Sequence, residues 1–333
     1  MISLWDTTGN EVVKALSAER RSAGGVASGV ALSLIVVVDE KRVREAEAAA
    51  TIASAAHPCR LLIIVRSDID RPANRLDAEI VVGGRLGPCE AVVMRMSGRL
   101  ALHAESVVLP LLAPDVPVVT WWHGEPPDRI ANDFLGVVAD RRITDAAQAA
   151  DPVVALHTRA ADYAPGDTDL AWTRITPWRT LVAGAFDTAG DTNVGGARIV
   201  APTTDPTAAL MGGWLASRLG VSPVIEPTTE FKRMRSVELT CANGDLLTLT
   251  RENGHALFSR AGQPDRVMAL PRRPLGDELA EELRRLDADQ IYADALGAMA
   301  GVKDLHDRPA HRVHVWKDPV AAAAAAAAPG VGS

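Results

Sequence analysis

The sequence is short of cysteine, of long apolar runs and of surplus positive charge, and each shortage closes a class of function. Three cysteines, Cys59, Cys89 and Cys241, lie far apart among 333 residues. No Cys-x-x-Cys occurs, so zinc ribbons and thioredoxin-type exchange lack their spacing. A sparse, odd count fits a reducing compartment, and a cytoplasmic location is expected. No stretch approaches the roughly 20 apolar residues that cross a bilayer. The opening Met-Ile-Ser-Leu-Trp-Asp lacks the basic-then-apolar order of a signal peptide. A net charge of −7 offers no basic field to a nucleic acid. There is no G-x-x-x-x-G-K-[ST] and no G-x-S-x-G. Gly24, Gly25 and Gly29 precede a strand, whereas a dinucleotide loop follows one. The expectation is no cofactor, no metal, no membrane and no nucleic acid.

What is present is an ordinary globular composition, 47% hydrophobic and 23% charged, in a chain long enough for two domains. Residues 8–23 read as a helix. Ala31 to Val38 and Arg60 to Arg66 are nearly continuous apolar runs, suited to strands buried on both faces. Between them Asp39 opens an Ala-rich helix that His57-Pro58 stops, so strand, helix and strand form a βαβ unit with parallel neighbours. Ala78–Val82 and Ala91–Met96 form a hairpin around Gly83–Pro88. Arg99–Leu112 reads as a helix. Val118–Trp122 is a third buried strand, and its end, Trp121-Trp122-His123, is either a pocket or the lid of the core. In open α/β sheets ligands gather at the carboxyl ends of strands.

Asp151-Pro152 and Asp205-Pro206 each place a capping carboxylate before a residue without an N–H, the sign of a helix start. Ser236–Cys241, Asp245–Arg251, His255–Ser259 and Arg266–Leu270 alternate and are joined by Asn243-Gly244 and Asn253-Gly254, which predicts an antiparallel meander. Helices from Leu275 and over Ile291–Met299 follow, then a last strand over Arg312–Trp316. Glu281-Glu282 reads as a solvated face. Ala321–Ser333 is low in complexity and is expected to be poorly ordered.

Chemistry-bearing pairs are sparse. His57 and Cys59 point apart at a strand start, and Cys59 and Cys89 read as small buried hydrophobes. His306, His311 and His314 straddle Pro309 and need not converge on a metal. The densest feature is Asp169-Leu-Ala-Trp-Thr-Arg-Ile-Thr-Pro-Trp-Arg179. Thr176-Pro177 reads as a helix start, with Trp178, Leu181, Val182, Ala185 and Phe186 on one apolar face. Two Trp and two Arg within eight residues admit two readings. One is a core helix docked by its Trp rings; the other is an interface, where these residues concentrate binding energy.

His57-Pro58-Cys59-Arg60, Leu109–Pro117, Trp121-Trp122 and above all Asp169–Arg179 resemble the glucose-6-phosphate dehydrogenase assembly protein (OpcA) family, in its actinobacterial branch, over residues 1–316. The resemblance implies a non-catalytic accessory protein. It would bind glucose-6-phosphate dehydrogenase, favour its active oligomer and activate it allosterically, supporting NADPH production in the pentose phosphate pathway with an indirect linkage to glucose 6-phosphate. Trp172, Arg174, Trp178 and Arg179 would shape or form the contact, with Arg174, Arg179 and Trp172 towards the partner or a bound anion and Trp178, with Leu181 and Val182, holding the helix. The family's photosynthetic branch carries redox control near its C-terminus; the last cysteine here is Cys241, so that control is not expected. The competing reading is an α/β enzyme or sugar-phosphate sensor with a pocket at Trp121, Trp122 and His123. The fold expected is α/β. An N-terminal domain, 1–165, would carry a βαβ-type, mostly parallel sheet. An α+β half, 166–316, would follow with a meander and a helical layer, and 317–333 would be a tail.

Overall fold

The computed structural model describes residues 1–22, 29–83, 90–187 and 193–318. The expected break at Gly24-Gly25, the turn at Gly84–Pro88, Cys89 and the Ala-rich end lie outside the described residues. The chain divides into two compact units, Met1–Arg142 together with the segment from His311, and Ile143–Ala310. The sequence had placed the division at 165/166.

In the first unit the chain runs β1 (Ile2–Leu4), α1 (Gly9–Ser22), β2 (Leu32–Val38), α2 (Val43–Ala56), β3 (Cys59–Arg66), β4 (Arg75–Val82), β5 (Glu90–Ser97), α3 (Glu105–Val108), β6 (Val118–His123) and α4 (Phe134–Val137). β7 (Arg141–Thr144), α5 (Pro152–Asp162) and β8 (Asp167–Asp169) come next. An eight-stranded sheet has the order β1-β4-β5-β3-β2-β6-β7-β8. β3 and β6 both pair parallel with β2, and β5 pairs parallel with β3. β2 is buried at all seven positions, as its unbroken apolar run requires. β4 and β5 make the expected hairpin, pairing from Arg75↔Ser97 to Val82↔Glu90. The chain leaves β2 towards β3 on one side and reaches β6 on the other, so a topological switch point lies between β2 and β6.

The helix expected over Arg99–Leu112 is broken. A 3-10 turn at Gly98–Leu102, the short α3 and a second 3-10 turn at Leu109–Leu111 replace it. Pro110 removes one N–H, and an α-helix tolerates that poorly beyond its first turn. The last expected strand, Arg312–Trp316, is not a strand. It is extended, held by Val315 N–H donating to Ala131 O at 2.8 Å and by Trp316 stacked on His103 at 4.5 Å.

The second unit continues with α6 (Leu170–Arg174), α7 (Thr176–Asp187), β9 (Val194–Ala201), α8 (Pro206–Leu219), β10 (Val224–Pro227), β11 (Ser236–Cys241), β12 (Leu246–Glu252), β13 (His255–Arg260), β14 (Arg266–Ala269), α9 (Leu275–Leu283) and α10 (Gln290–Ala300). Its sheet has the order β10-β9-β11-β12-β13-β14. Only β10 is parallel to its neighbour; the rest is the antiparallel meander. Val237, Leu239 and Cys241, then Leu247 and Leu249, then Ala256 and Phe258, face inward in alternation. At the β12–β13 turn Asn253 and Gly254 both have positive φ, 45° and 83°, as a two-residue hairpin demands. α8 and α10 pack closely: a Cβ on Gly213 would lie 2.1 Å from Ala295 O, so only glycine fits there.

Candidate functional site

Two tryptophan-bearing stretches were candidates. The first, Trp121-Trp122-His123, ends β6 at the carboxyl side of the switch point, where Val38 and His123 are in register. It is no opening: the three residues are 0%, 1% and 0% exposed. Trp122 joins the core with Ile35, Leu62 and Leu135. The pocket expectation is therefore corrected to the lid. Charged side chains stand at this end of the sheet. Asp39 accepts from Arg42 N at 3.0 Å and from Arg42 Nη1 at 2.9 Å. A Cβ on Gly124 would meet Arg42 Nη1 at 2.9 Å. His123 Nε2 lies 3.2 Å from Glu45. The β2–α2 loop is Asp39-Glu-Lys-Arg42, without the glycines that let a backbone approach a pyrophosphate.

The second stretch is a buried knot. Asp169 caps α6, accepting from Ala171 N at 2.9 Å, and its other oxygen accepts from Thr144 Oγ1 at 2.7 Å and Ala146 N at 2.9 Å. Burial, reinforced by the charge of Asp145, raises its carboxyl to about 6 against the pull of those hydrogen bonds. Trp172 is 2% exposed; its Nε1 donates to Asp289 at 2.9 Å and its ring lies 5.6 Å from Tyr292. Thr173 donates to Glu282 at 2.5 Å. Arg174 grips Asp145 with two nitrogens at 2.6 and 2.8 Å and Glu278 with Nε at 2.9 Å. Burial opposes its charge, yet the bonds to Asp145 and the two carboxylates prevail and hold the guanidinium above its ordinary value. Trp178, 2% exposed, packs in the core with Val182 and Ala185. Arg179 lies half-buried with its guanidinium 3.6 Å over the Trp172 ring and donates to Thr176 Oγ1 at 2.9 Å. Burial lowers it to about 10, against the attraction of Asp289, Glu281 and Glu282.

The outward orientation expected for Trp172 is thus corrected: its ring is interior, held by Asp289 and covered by Arg179. Arg174 faces carboxylates of its own chain, and the Trp178 ring is buried in the core. Glu282, read as solvated, is 6% exposed and bonded to Thr173. The sequence reading passed over Asp145, Glu278 and Asp289. Asp145 and Asp289 each cap the following turn, accepting from Ala147 N and Tyr292 N, so the cap pattern was their available signal. Glu278 and Glu282 sit four apart beside Leu279 and Leu283, which puts them on the buried side of α9. The three histidines do not assemble: among the described residues no group of three or more His, Cys, Asp or Glu is placed to hold a metal.

The geometry defines an α/β protein whose β6 end is buried and whose tryptophan-arginine segment ties α6 and α7 to α9 and α10. The chain belongs to the OpcA family. Residues 50–161 match the family described as "Glucose-6-phosphate dehydrogenase subunit N-terminal domain", and residues 165–296 its "C-terminal domain". A "Putative OxPP cycle protein OpcA" of Synechococcus elongatus is 34% identical over 200 residues, which cover 50% of this chain and 45% of that protein. The chain thus spans about half the length of that relative. Among solved structures it is similar to KijD10, a 3-ketoreductase from Actinomadura kijaniata. The TM-score is 0.45 and the identity 10%, over 85% of this chain and 99% of that one. An NAD-binding oxidoreductase from Klebsiella pneumoniae gives a TM-score of 0.41 and 10% identity, over 82% of this chain and 96% of that one. A likeness this loose transfers nothing to this chain. No described helix is long and apolar enough to cross a membrane.

Proposed function

We propose that this chain is a non-catalytic partner of glucose-6-phosphate dehydrogenase that favours the enzyme's active oligomer and activates it allosterically, in support of NADPH production. The observation that carries the reading is the pair of family matches, to N-terminal and C-terminal domains described by that enzyme, in order along one chain. The charged β2–α2 loop, Asp39 to Arg42, which has no glycine to let a backbone approach a pyrophosphate, supports a role without a nucleotide of its own. Trp172, Arg174, Trp178 and Arg179 act from beneath the contact. They set the position of α9 and α10, and Arg179 remains the member nearest solvent.

A protein that performs no chemistry activates another by binding one of its states more tightly than the rest. Reciprocity then requires glucose 6-phosphate to tighten the complex by the factor by which the complex tightens glucose 6-phosphate. The test is co-purification with the dehydrogenase, followed by sizing, an activity assay and affinity measured with and without the sugar phosphate. Binding with raised activity and a sugar-dependent affinity is the expected result. Turnover of a metabolite by the chain alone, or failure to bind the dehydrogenase, overturns the reading.

A further inference from the structure

Arg251 closes β12 on the face that carries Leu247 and Leu249, and its guanidinium lies 5.3 Å over the Trp178 ring. It makes no side-chain hydrogen bond or ion pair among the described residues, and its Nε is buried without a partner. Arg233 is near enough to repel its charge, is exposed, and makes no ion pair among the described residues. Arg235 completes the cluster. Its backbone carbonyl accepts from Arg251 N at 2.8 Å, its Nη1 donates to the Arg251 carbonyl, and its guanidinium lies 4.8 Å over Phe231.

Burial, and then repulsion from Arg233, lower Arg251 below the ordinary arginine range; Asp205 opposes the shift. Asp205 does not pair with Arg251. Its oxygens accept from Thr207 N, Thr207 Oγ1 and Met234 N at 2.9, 2.6 and 2.6 Å, as the cap of α8. Glu252 approaches only Arg235, at 3.4 Å. Two cationic charges, Arg251 over the Trp178 ring and Arg233 near enough to repel it, are therefore left unpaired among the described residues. Arginine forks match the oxygens of a phosphate in paired bonds, and a dianion balances two such charges where a single carboxylate balances one.

We propose that Arg251 and Arg233, steadied by Arg235 and Trp178, form a binding site for a dianionic phosphate group. The site stands apart from the knot around Arg174 and does not depend on the dehydrogenase reading.

Inorganic phosphate is the probe, titrated calorimetrically into the full chain at a pH where it is dianionic. Ionic strength is held constant with chloride, and acetate is run in parallel. The expected result is saturable binding of phosphate, weakened at least tenfold by Arg251→Met and by Arg233→Ala. Arg233 is exposed, so its replacement keeps the test valid should Arg251→Met disturb folding. Absence of phosphate binding, equal binding by Arg233→Ala, or an equal response to acetate, which would mark simple charge screening, each overturns the proposal.

Discussion

The end of β6 and the α6–α7 knot are both rich in tryptophan and both closed to water, yet they are closed differently. At Trp121-Trp122-His123 the indole Nε1 atoms and His123 Nδ1 have no hydrogen-bond partner among the described residues, and packing on the sheet does the work. In the knot nearly every polar atom is matched. Trp172 meets Asp289, Thr173 meets Glu282, and Arg174 meets Asp145 and Glu278. The first region is a lid held by apolar area; the second is a polar clamp in which removing one member strands several others. The chemistry of the second shows why two arginines beside two tryptophans need not mean an exposed surface.

The sharpest way to break the contrast is Arg174→Ala. It strands the buried carboxylates of Asp145 and Glu278, and loss of one partner of a buried pair costs about 3–5 kcal/mol. Chemical denaturation measures this, and a loss under about 1 kcal/mol would show that the clamp does not hold the helices. Arg174→Lys should recover only part of the loss, because a point charge cannot reproduce the two-nitrogen grip on Asp145. Trp172→Phe keeps an aromatic ring but removes the indole donor to Asp289 Oδ2, and should cost about 1–3 kcal/mol.

A third prediction concerns pH. The folded carboxyl of Asp169 titrates at about 6, above the roughly 3.9 of an unfolded aspartate. The folded state therefore binds this proton more tightly. The resulting stability is complete below the unfolded value and is lost as pH rises through the folded one. From pH 5 to pH 7 the loss is about 1 kcal/mol by linkage, and Glu278, raised by burial, adds in the same direction. Denaturation midpoints should fall over that interval, and Asp169→Asn should flatten the slope. The smallest effect is expected at the lid. His123→Phe conserves volume and removes a polar ring with one unmatched nitrogen, so stability should move by less than about 1.5 kcal/mol. A larger loss would mean that the Glu45 contact matters more than packing does.

Much of the fold was legible along the chain. The runs Leu32–Val38 and Cys59–Arg66 could hardly be anything but buried parallel strands. Asp151-Pro152 and Asp205-Pro206 opened α5 and α8, with the carboxylates accepting from Val154 N and Thr207 N. The meander followed from alternation and from Asn253-Gly254. The candidate site was legible only in part. Periodicity put Trp178 on an apolar face without deciding between core and interface, and nothing local distinguishes an arginine aimed at solvent from one aimed at a carboxylate 104 residues away, the separation of Arg174 and Glu278. Glu282 was misread for the same reason: its partner, Thr173, is 109 residues distant.

By itself, then, the amino-acid order determined the strands, the helix starts, the hairpins and the family, because hydrophobic period, capping and turn chemistry act over a few residues. Only the tertiary structure decided which charges are paired. Coulomb and hydrogen-bond energies depend on distances and burial that are set when segments far apart in the chain meet. That is why Arg174 is saturated by two carboxylates, whereas Arg251, over the Trp178 ring, is left with none among the described residues.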